Sequence, residues 1–201
     1  MNKVDDSRNM TKVGGVRLET ARLVLREWSR SDVSDLVDGL GDLTVARWLA
    51  FVPHPYTEQD AEKWIKHCMA LQEKGADRSD YEFAIETKSD HKVIGGTSLT
   101  RISRLHGTAG GGIWINAKYQ GMGYGSEAFG ERIRFAFEDL RLRRLENGFF
   151  DGNDGSLTMQ ERFGYKLEGK KRSAYRCMAD GELKDEVITG LLKEDWKPNP
   201  G

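Results

Sequence analysis

The stretch that most constrains this chain is YQGMGYGSEA, which runs from Tyr119 to Ala128. Its glycines stand at alternate positions, after a short apolar segment and before a helical pattern of apolar residues. Because glycine has no Cβ, the backbone N–H groups of such a turn can point at an anion, and the positive end of the helix dipole lies behind them. The stretch therefore predicts a strand, an anion-binding turn and a helix.

Two widespread phosphate-binding patterns do not fit this turn. The dinucleotide fingerprint G-x-G-x-x-G needs a third glycine where this chain has Ser126. The Walker pattern G-x-x-x-x-G-K-[ST] needs a lysine directly after its last glycine, and this chain has none there. The pattern that remains is Gln120-x-x-Gly123-x-Gly125.

Charge and length narrow the class of protein. The 201 residues favour a single domain, and 31 Lys plus Arg against 32 Asp plus Glu leave a net charge of −1. The charges are interleaved, so we expect no nucleic-acid partner and no membrane partner. The N-terminal stretch lacks the apolar core of a signal peptide, and no segment approaches the ~20 apolar residues of a membrane span. These features predict a cytoplasmic protein.

No residue pattern suggests a metal site. Cys68 and Cys177 are far apart and match no metal or redox spacing, so each is expected to be a buried small hydrophobe. The four histidines show no ligand spacing either.

Periodicity predicts the order of the elements. Residues 1–15 are polar and lack periodicity, which is typical of a disordered tail, and residues 16–201 are expected to form one domain. Alternating or apolar runs predict strands at RLVLREW, YEFAIET, KVIGGTSLT, GGIWIN, RRLENGFF, YKLEGKKRSAYRCM and EVITGLLKEDW. Helices are predicted behind a Ser31 cap, from Thr57, after the glycine turn, and at GSLTMQERFG. This order indicates an α+β domain built on a mixed sheet.

Several motifs together resemble one enzyme family. The pattern at Gln120 matches the Q/R-x-x-G-x-G/A signature of the GNAT acetyltransferases, and the chain resembles their RimJ/RimL-like branch, which acetylates ribosomal proteins. GNDGSLTMQERFGYKLEG matches the family's N-x-x-S-x(4)-E-K-x-G-F-x-x-x-G run, with Arg162 and Tyr165 as conservative exchanges. ETARLVLREWSRSD, VIGGTSL and DGELKDEVITGLLKEDW resemble its opening strand, central hairpin and closing hairpin.

The resemblance spans Arg17 to Trp196 and implies a fold and a cofactor. The fold would be a mixed, mostly antiparallel central sheet of about seven strands, opened by a splay, with helices on both faces. The co-substrate would be acetyl-CoA: the turn would hold its pyrophosphate, and the strand at Trp114 and Ile115 would pair with the pantetheine arm. The implied cofactor-binding residues are Trp114, Ile115, Gln120, Gly121, Met122, Gly123, Tyr124, Gly125, Ser126, Asn153 and Ser156. The resemblance also suggests a homodimer.

The implied activity is N-acetylation of a primary amine, on a protein N-terminus, a polyamine or a small amine. The chain departs from common family patterns at two places: Gly110 replaces an acid found in many relatives, and Gln160 replaces a tyrosine acid. Ser156 matches the general acid proposed in RimL-like relatives, and the alternative is a helix cap. Asp151 is the candidate base, and the alternative is a turn residue.

Weaker catalytic candidates remain beside these. Tyr175 is more consistent with a packing aromatic, and His106 with a surface loop. A further alternative is water as the base, in a pocket for the amine that Gly110 enlarges. Because the usual acid and base are missing, the other hypothesis for the whole chain is a catalytically reduced protein that binds acyl-CoA in a regulatory role.

Overall fold

The computed structural model describes residues 15–198, so the tail expected at residues 1–15 lies outside this range except for Gly15. The strands are β1 (Arg17–Glu19), β2 (Leu23–Glu27), β3 (Tyr81–Thr87), β4 (Val93–Ser103), β5 (Thr108–Gly110), β6 (Ile113–Ile115), β7 (Arg144–Phe150), β8 (Lys166–Arg176) and β9 (Leu183–Leu192). The helices are α1 (Val33–Leu40), α2 (Leu43–Ala46), α3 (Glu58–Gln72), α4 (Tyr124–Arg134) and α5 (Asp154–Arg162). A π-helical turn, Phe135–Asp139, extends α4.

All strands join one mixed sheet. The order is β1-β2-β3-β4-β5-β7-β9-β8, with β6 also paired to β4. Only the β5–β7 pair is parallel among these pairings, which confirms the mixed, mostly antiparallel sheet. The sheet has nine strands where about seven were expected, because short β1 precedes the first expected strand and β5 is separate from β6.

The sheet opens between β6 and β7. Both β5 and β6 pair with β4, but β5 also pairs with β7 at Thr108–Arg144 and Ala109–Leu145. Beyond Gly110 the β7 pairing stops, and β6 continues along β4 alone. At the break, Gly111 has φ of 149°, and a Cβ there would lie 2.0 Å from the Ser98 carbonyl oxygen. We call the resulting space between β6 and β7 the gap.

Helices cover both faces of the sheet, as the resemblance implies. On one face, Phe129 and Ile133 of α4 pack on Leu23 and Leu25 of β2. On the other face, Leu36 of α1 and Ile65 and Cys68 of α3 pack with Trp28. Cys68 and Cys177 are both buried free thiols, as expected.

Local capping explains where the helices begin. At α3, the Asp60 N–H donates to Thr57 Oγ1 over 3.3 Å and the Thr57 N–H donates to Asp60 Oδ2 over 3.1 Å, which confirms the expected start. The predicted Ser31 cap is wrong. Ser29 and Asp32 form the capping box there, because a short 3₁₀ turn at residues 30–32 precedes α1.

One half-buried carboxyl group on the sheet loses hydration when the protein folds. Burial raises the pKa of Glu82, on β3, to about 8, and the charge of Asp80 shifts it in the same direction. The folded state therefore binds this proton more tightly than the unfolded chain, whose pKa is near 4.5. The resulting stabilisation is complete at acid pH and is lost as pH rises to about 8.

We predict that Glu82→Gln leaves the free energy of unfolding unchanged near pH 4 and raises it near pH 9. The increase should be about 1–3 kcal/mol. This is less than about 1.36 kcal/mol for each unit by which the pKa is raised, because the side chain is only partly enclosed. Urea denaturation at both pH values measures it, with Glu62→Gln on the exposed face of α3 as the control. An equal gain at both pH values would contradict the prediction.

Candidate active site

A cavity of about 720 Å³ lies at the gap. Its walls come from β6 and the glycine before it, the glycine turn, β7, the start of α5 and the α2 segment. The lining residues include 112–115, Gln120, Gly121, Gly123, Gly125, Ser126, 147–149, 153–156, Thr44, Val45, Trp48 and Leu49. The cavity therefore reaches from the face covered by α4 to the face that carries α2.

The glycine turn ends at the first residue of α4. Gly121 and Gly123 have φ of 76° and 81°, in the left-handed region that favours glycine. Gly123 is the N-cap of α4, and no side chain caps it. The first N–H groups of this helix therefore have no intrahelical partner and are available to an anion.

Arg22 is a residue near this turn that sequence reasoning missed. Its guanidinium donates to the Met122 carbonyl oxygen over 3.0 Å, pairs with Glu127 at 2.6 Å, and lies 4.3 Å from the centre of the Tyr124 ring. Arg22 lies between β1 and β2, and its contacts with Met122 and Glu127, about 100 residues later in the chain, form only in the folded protein.

Met122 and Tyr124, two expected cofactor-binding residues, do not line the cavity. Met122 is exposed, and Tyr124 packs against Tyr119. The other expected cofactor-binding residues all line it: Trp114, Ile115, Gln120, Gly121, Gly123, Gly125, Ser126, Asn153 and Ser156.

The register of β6 decides which backbone groups face the gap. Ser98 N donates to Gly112 O over 3.0 Å and Asn116 N to Ile94 O over 2.8 Å, so the even-numbered residues of this strand bond to β4. Trp114 is one of them, and its ring packs against Gly39 of α1. The backbone groups of Ile113 and Ile115 therefore point into the gap.

Gln120 joins the glycine turn to β6. Its Nε2 donates to the Ile115 carbonyl oxygen over 2.8 Å. That carbonyl would otherwise face the gap without a partner. The glutamine of the sequence signature thus fixes the turn against the open edge of the strand.

The opposite edge of the gap is β7. The Asp151 N–H donates to Asp185 O over 3.0 Å, so alternation turns the backbone groups of Gly148 away from β9 and toward the gap. Gly148 and Ile113 thus present free backbone groups from the two sides.

Ser156 stands in a chain of hydrogen bonds at the start of α5. Asn153 caps the helix, since its Oδ1 accepts from Ser156 N over 3.1 Å. Gln160 Nε2 donates to Ser156 Oγ over 2.9 Å, and Gln160 Oε1 accepts from the Thr189 hydroxyl. Because Ser156 Oγ already accepts a hydrogen bond, its own proton is free to be donated toward the cavity.

The structure does not bring the other catalytic candidates into the cavity. Asp151 is exposed, does not line the cavity, and pairs with Lys170 Nζ at 2.6 Å. Tyr175 packs between Phe51 and Phe150, at ring distances of 5.7 and 6.2 Å. His106 is exposed in the loop between β4 and β5.

Gly110 lies beside a cation. A Cβ at this position would lie 2.5 Å from Arg101 Nη2. The place of the acid in many relatives is therefore next to a guanidinium here.

The described part of the chain offers neither a metal site nor a membrane-spanning helix. Within residues 15–198, no group of three His, Cys, Asp or Glu side chains could hold a metal ion. In the same range, no helix combines the length and the apolar character that crossing a membrane requires.

Comparison with known proteins identifies the family. A family model described as "Acetyltransferase (GNAT) domain" matches residues 22–166. The chain belongs to the GNAT acetyltransferases. It is 31% identical over 141 residues to the probable N-acetyltransferase YjcK of Bacillus subtilis (strain 168), which covers 70% of this chain and 75% of that one.

Two other proteins are similar over most of this GNAT chain. The [ribosomal protein uS5]-alanine N-acetyltransferase of Escherichia coli (strain K12) is 25% identical over 94% of this chain and 96% of its own, which supports the RimJ/RimL-like branch. The spermidine N-acetyltransferase of Vibrio cholerae, solved with CoA and spermine, has a TM-score of 0.71 at 19% identity and covers 88% of this chain and 98% of its own. At that identity it supports the fold alone.

We predict that Gly123→Ala weakens CoA binding at least about tenfold, or about 1.4 kcal/mol. A side chain strains the left-handed backbone, and the new Cβ would lie 3.3 Å from Arg22 Nη2, which would shift the N–H groups of the turn. Isothermal calorimetry with CoA measures the loss.

The matched control is Gly181→Ala in the β8–β9 turn. Gly181 has a similar φ of 74° and open space around its Cβ position, so the strain is comparable but lies away from the cavity. If both variants bind CoA with parental affinity, the turn is not the phosphate site.

Proposed function

We propose that this GNAT enzyme transfers the acetyl group of acetyl-CoA to a primary amine that approaches from the α2 side of the sheet. The observation that carries this proposal is a single cavity that runs through the gap from the uncapped start of α4 to the α2 segment. The two reactants can thus meet between β6 and β7 from opposite faces of the sheet.

The cofactor half of the cavity suits a pyrophosphate and an amide-bearing arm. Free N–H groups at the start of α4 would hold the pyrophosphate. A pantetheine amide N–H would donate to the carbonyl oxygen of Ile113, in the manner of an added strand, which leaves the N–H of Ile113 for the thioester oxygen. The strand contact expected at Trp114 and Ile115 is therefore proposed at Ile113, since Ile115 O already accepts from Gln120 Nε2.

The reaction would occur by direct attack of the amine on the thioester carbon. The N–H of Ile113 faces the gap and would donate to the oxyanion of the tetrahedral intermediate. The C–N bond forms, the C–S bond breaks, and the amine loses its surplus proton to water. The sulfur leaves as a thiolate that is then protonated.

Ser156 is proposed to stabilise that thiolate. Gln160 and Thr189 form the chain of hydrogen bonds that turns the Ser156 proton toward the cavity. A thiolate with a pKa near 8.5 needs little help from an acid, so a hydroxyl can do what a tyrosine does in many relatives.

Water is the proposed proton acceptor from the amine. Asp151, the base expected from the sequence, is ion-paired with Lys170 and lies outside the cavity lining. The exposed position of Asp151 would also give it little advantage over solvent.

We predict that Ser156→Ala lowers kcat about tenfold and leaves the KM for acetyl-CoA within about threefold, since only the departing thiolate loses a donor. Asp151→Asn should change kcat/KM by less than about threefold at every pH, because this carboxylate does not reach the cavity. Free thiol release measures both rates. A larger loss in Asp151→Asn than in Ser156→Ala would return the role of base to Asp151.

The α2 end of the cavity indicates the class of amine. Its lining side chains are Thr44, Val45, Trp48 and Leu49, and none of them carries a charge. A polyamine keeps positive charges beyond the reacting nitrogen, and these charges would need carboxylate partners. We therefore favour an amine with a small or apolar neighbouring group, such as a peptide N-terminus, over a polyamine.

We predict that Trp48→Ala raises the KM for a good amine substrate about tenfold and leaves the KM for acetyl-CoA unchanged, because the indole contributes apolar contact only at the α2 end. Leu105→Ala, which removes an exposed apolar side chain from the β4–β5 loop, is the control. Equal changes in both KM values would place Trp48 in the cofactor half.

A panel of amines tests the proposed function as a whole. The panel contains peptides with N-terminal alanine or serine, alkyl and aromatic monoamines, and spermine, with free thiol release as the readout. We expect peptides or monoamines to exceed spermine. A tight CoA complex that releases no thiol with any amine would favour the acyl-CoA-binding alternative.

A further inference from the structure

Arg132 of α4 lies buried at the closed end of the gap, and the proposed reaction leaves it unused. The side chain is 1% exposed. Its Nη1 donates to Ser98 O over 3.1 Å and to Gly112 O over 3.4 Å. Its Nη2 donates to Asn147 Oδ1 and to the Tyr165 hydroxyl, each over 3.2 Å. The guanidinium therefore contacts both β4 and β7 where the sheet begins to open.

The guanidinium of Arg132 forms hydrogen bonds with neutral groups only. Among residues 15–198, no carboxylate pairs with its guanidinium, and Nε has no hydrogen-bond partner. The group lies 4.3 Å from the centre of the Phe129 ring. Burying a cation this way is costly, yet a guanidinium remains protonated in proteins. An apolar residue would fill this position in α4 at lower cost, so the charge calls for a functional reason.

One carbonyl group connects Arg132 to the reacting position. Gly112 O accepts from Ser98 N over 3.0 Å, from Thr97 Oγ1 over 2.9 Å and from Arg132 Nη1. The same peptide group carries the N–H of Ile113, which the β6 register turns into the gap. Hydrogen bonds in a chain polarise one another, so donors at a carbonyl oxygen make the N–H of its peptide a stronger donor.

We propose that Arg132 is a positioning residue for acetyl transfer, which polarises the Gly112–Ile113 peptide and strengthens the hydrogen bond from Ile113 N–H to the developing oxyanion. This inference rests on the proposed function. The chemical step is unchanged: negative charge moves onto the carbonyl oxygen as the C–N bond forms, and leaves it as the C–S bond breaks. Because the donors are fixed before the reaction, they need no reorganisation when the charge develops.

A purely structural role makes a different prediction. If Arg132 served only to hold β4 and β7 together, it would affect folding and the width of the gap. The hydroxyl of Thr97 would then have no influence on the reaction, since it bonds to Gly112, just before β6, and not to β7. Substitution of Thr97 therefore distinguishes polarisation of the Gly112–Ile113 peptide from a purely structural role of Arg132.

The experiment compares Arg132→Met, Arg132→Lys and Thr97→Val with the parent protein. Arg132→Met keeps the apolar bulk and removes the charge, and Thr97→Val removes one donor without changing shape. Tyr165→Phe is the matched control, because it removes a neutral partner of Nη2 and leaves both Nη1 contacts. The readouts are kcat, the KM for acetyl-CoA, thermal stability, and the infrared carbonyl stretch of bound acetyl-CoA labelled with ¹³C at the thioester carbon.

We expect Arg132→Met to lower kcat about 10- to 100-fold and to shift the carbonyl stretch to higher frequency. The loss should be smaller than the roughly 10²–10³-fold of removing an oxyanion donor, because the Ile113 N–H remains. Thr97→Val should lower kcat about threefold with a smaller shift in the same direction, since a neutral donor polarises less. Arg132→Lys should recover part of the rate, and Tyr165→Phe should stay within about twofold of the parent. The KM for acetyl-CoA should change little in all four.

Two results would overturn the inference. One is parental kcat in both Arg132→Met and Thr97→Val. The other is a lower kcat in Arg132→Met with an unchanged carbonyl stretch, together with parental kcat in Thr97→Val. That result would leave Arg132 with a structural role only. If Arg132→Met does not fold, Thr97→Val decides the matter alone. If the parent acetylates no amine, the proposed function fails, and the carbonyl stretch still reports polarisation independently.

Discussion

The opening of the sheet between β6 and β7 is the constraint on which the rest of the structure depends. An opened sheet leaves backbone donors and acceptors without partners inside the protein, and each such group is costly unless something else bonds to it. This chain supplies substitutes at several points: Arg132 bonds to Ser98 O and Gly112 O, and Gln120 bonds to Ile115 O. The groups at Ile113 and Gly148 that remain face the cavity, where a bound substrate can satisfy them.

The two ends of this cavity differ in their electrostatics. At the α4 end, the free N–H groups of the helix favour a phosphate. At the α2 end, the lining side chains, Trp48 among them, are uncharged. An anionic cofactor and an amine can therefore enter from opposite faces of the sheet. In the proposed reaction the thioester would lie between them, within the gap.

The substitutions that make this sequence unusual for its family have a consistent explanation in the structure. Gln160 cannot act as an acid, but it is buried and bridges Thr189 and Ser156, so it orients a hydroxyl that can donate. Gly110 leaves room beside Arg101, where an acid stands in many relatives. In the proposed reaction the site therefore relies on oriented hydrogen bonds and on the buried charge of Arg132, with water as the base.

The sequence by itself determined the elements and the glycine turn, because capping residues, periodicity and left-handed glycines act within a few residues of the chain. The Thr57 capping box of α3 and the left-handed Gly123 at the start of α4 were both readable in this way. Only the tertiary structure decided which atoms face the gap. The register of β6 against β4 turned the backbone groups of Trp114 away from the gap and those of Ile113 toward it, and Asp151, just after β7, lies outside the cavity. Arg132 was hidden for the same reason. It occupies one position in a helical pattern, and its function depends on carbonyl groups from strands that are distant in the sequence and meet only in the fold.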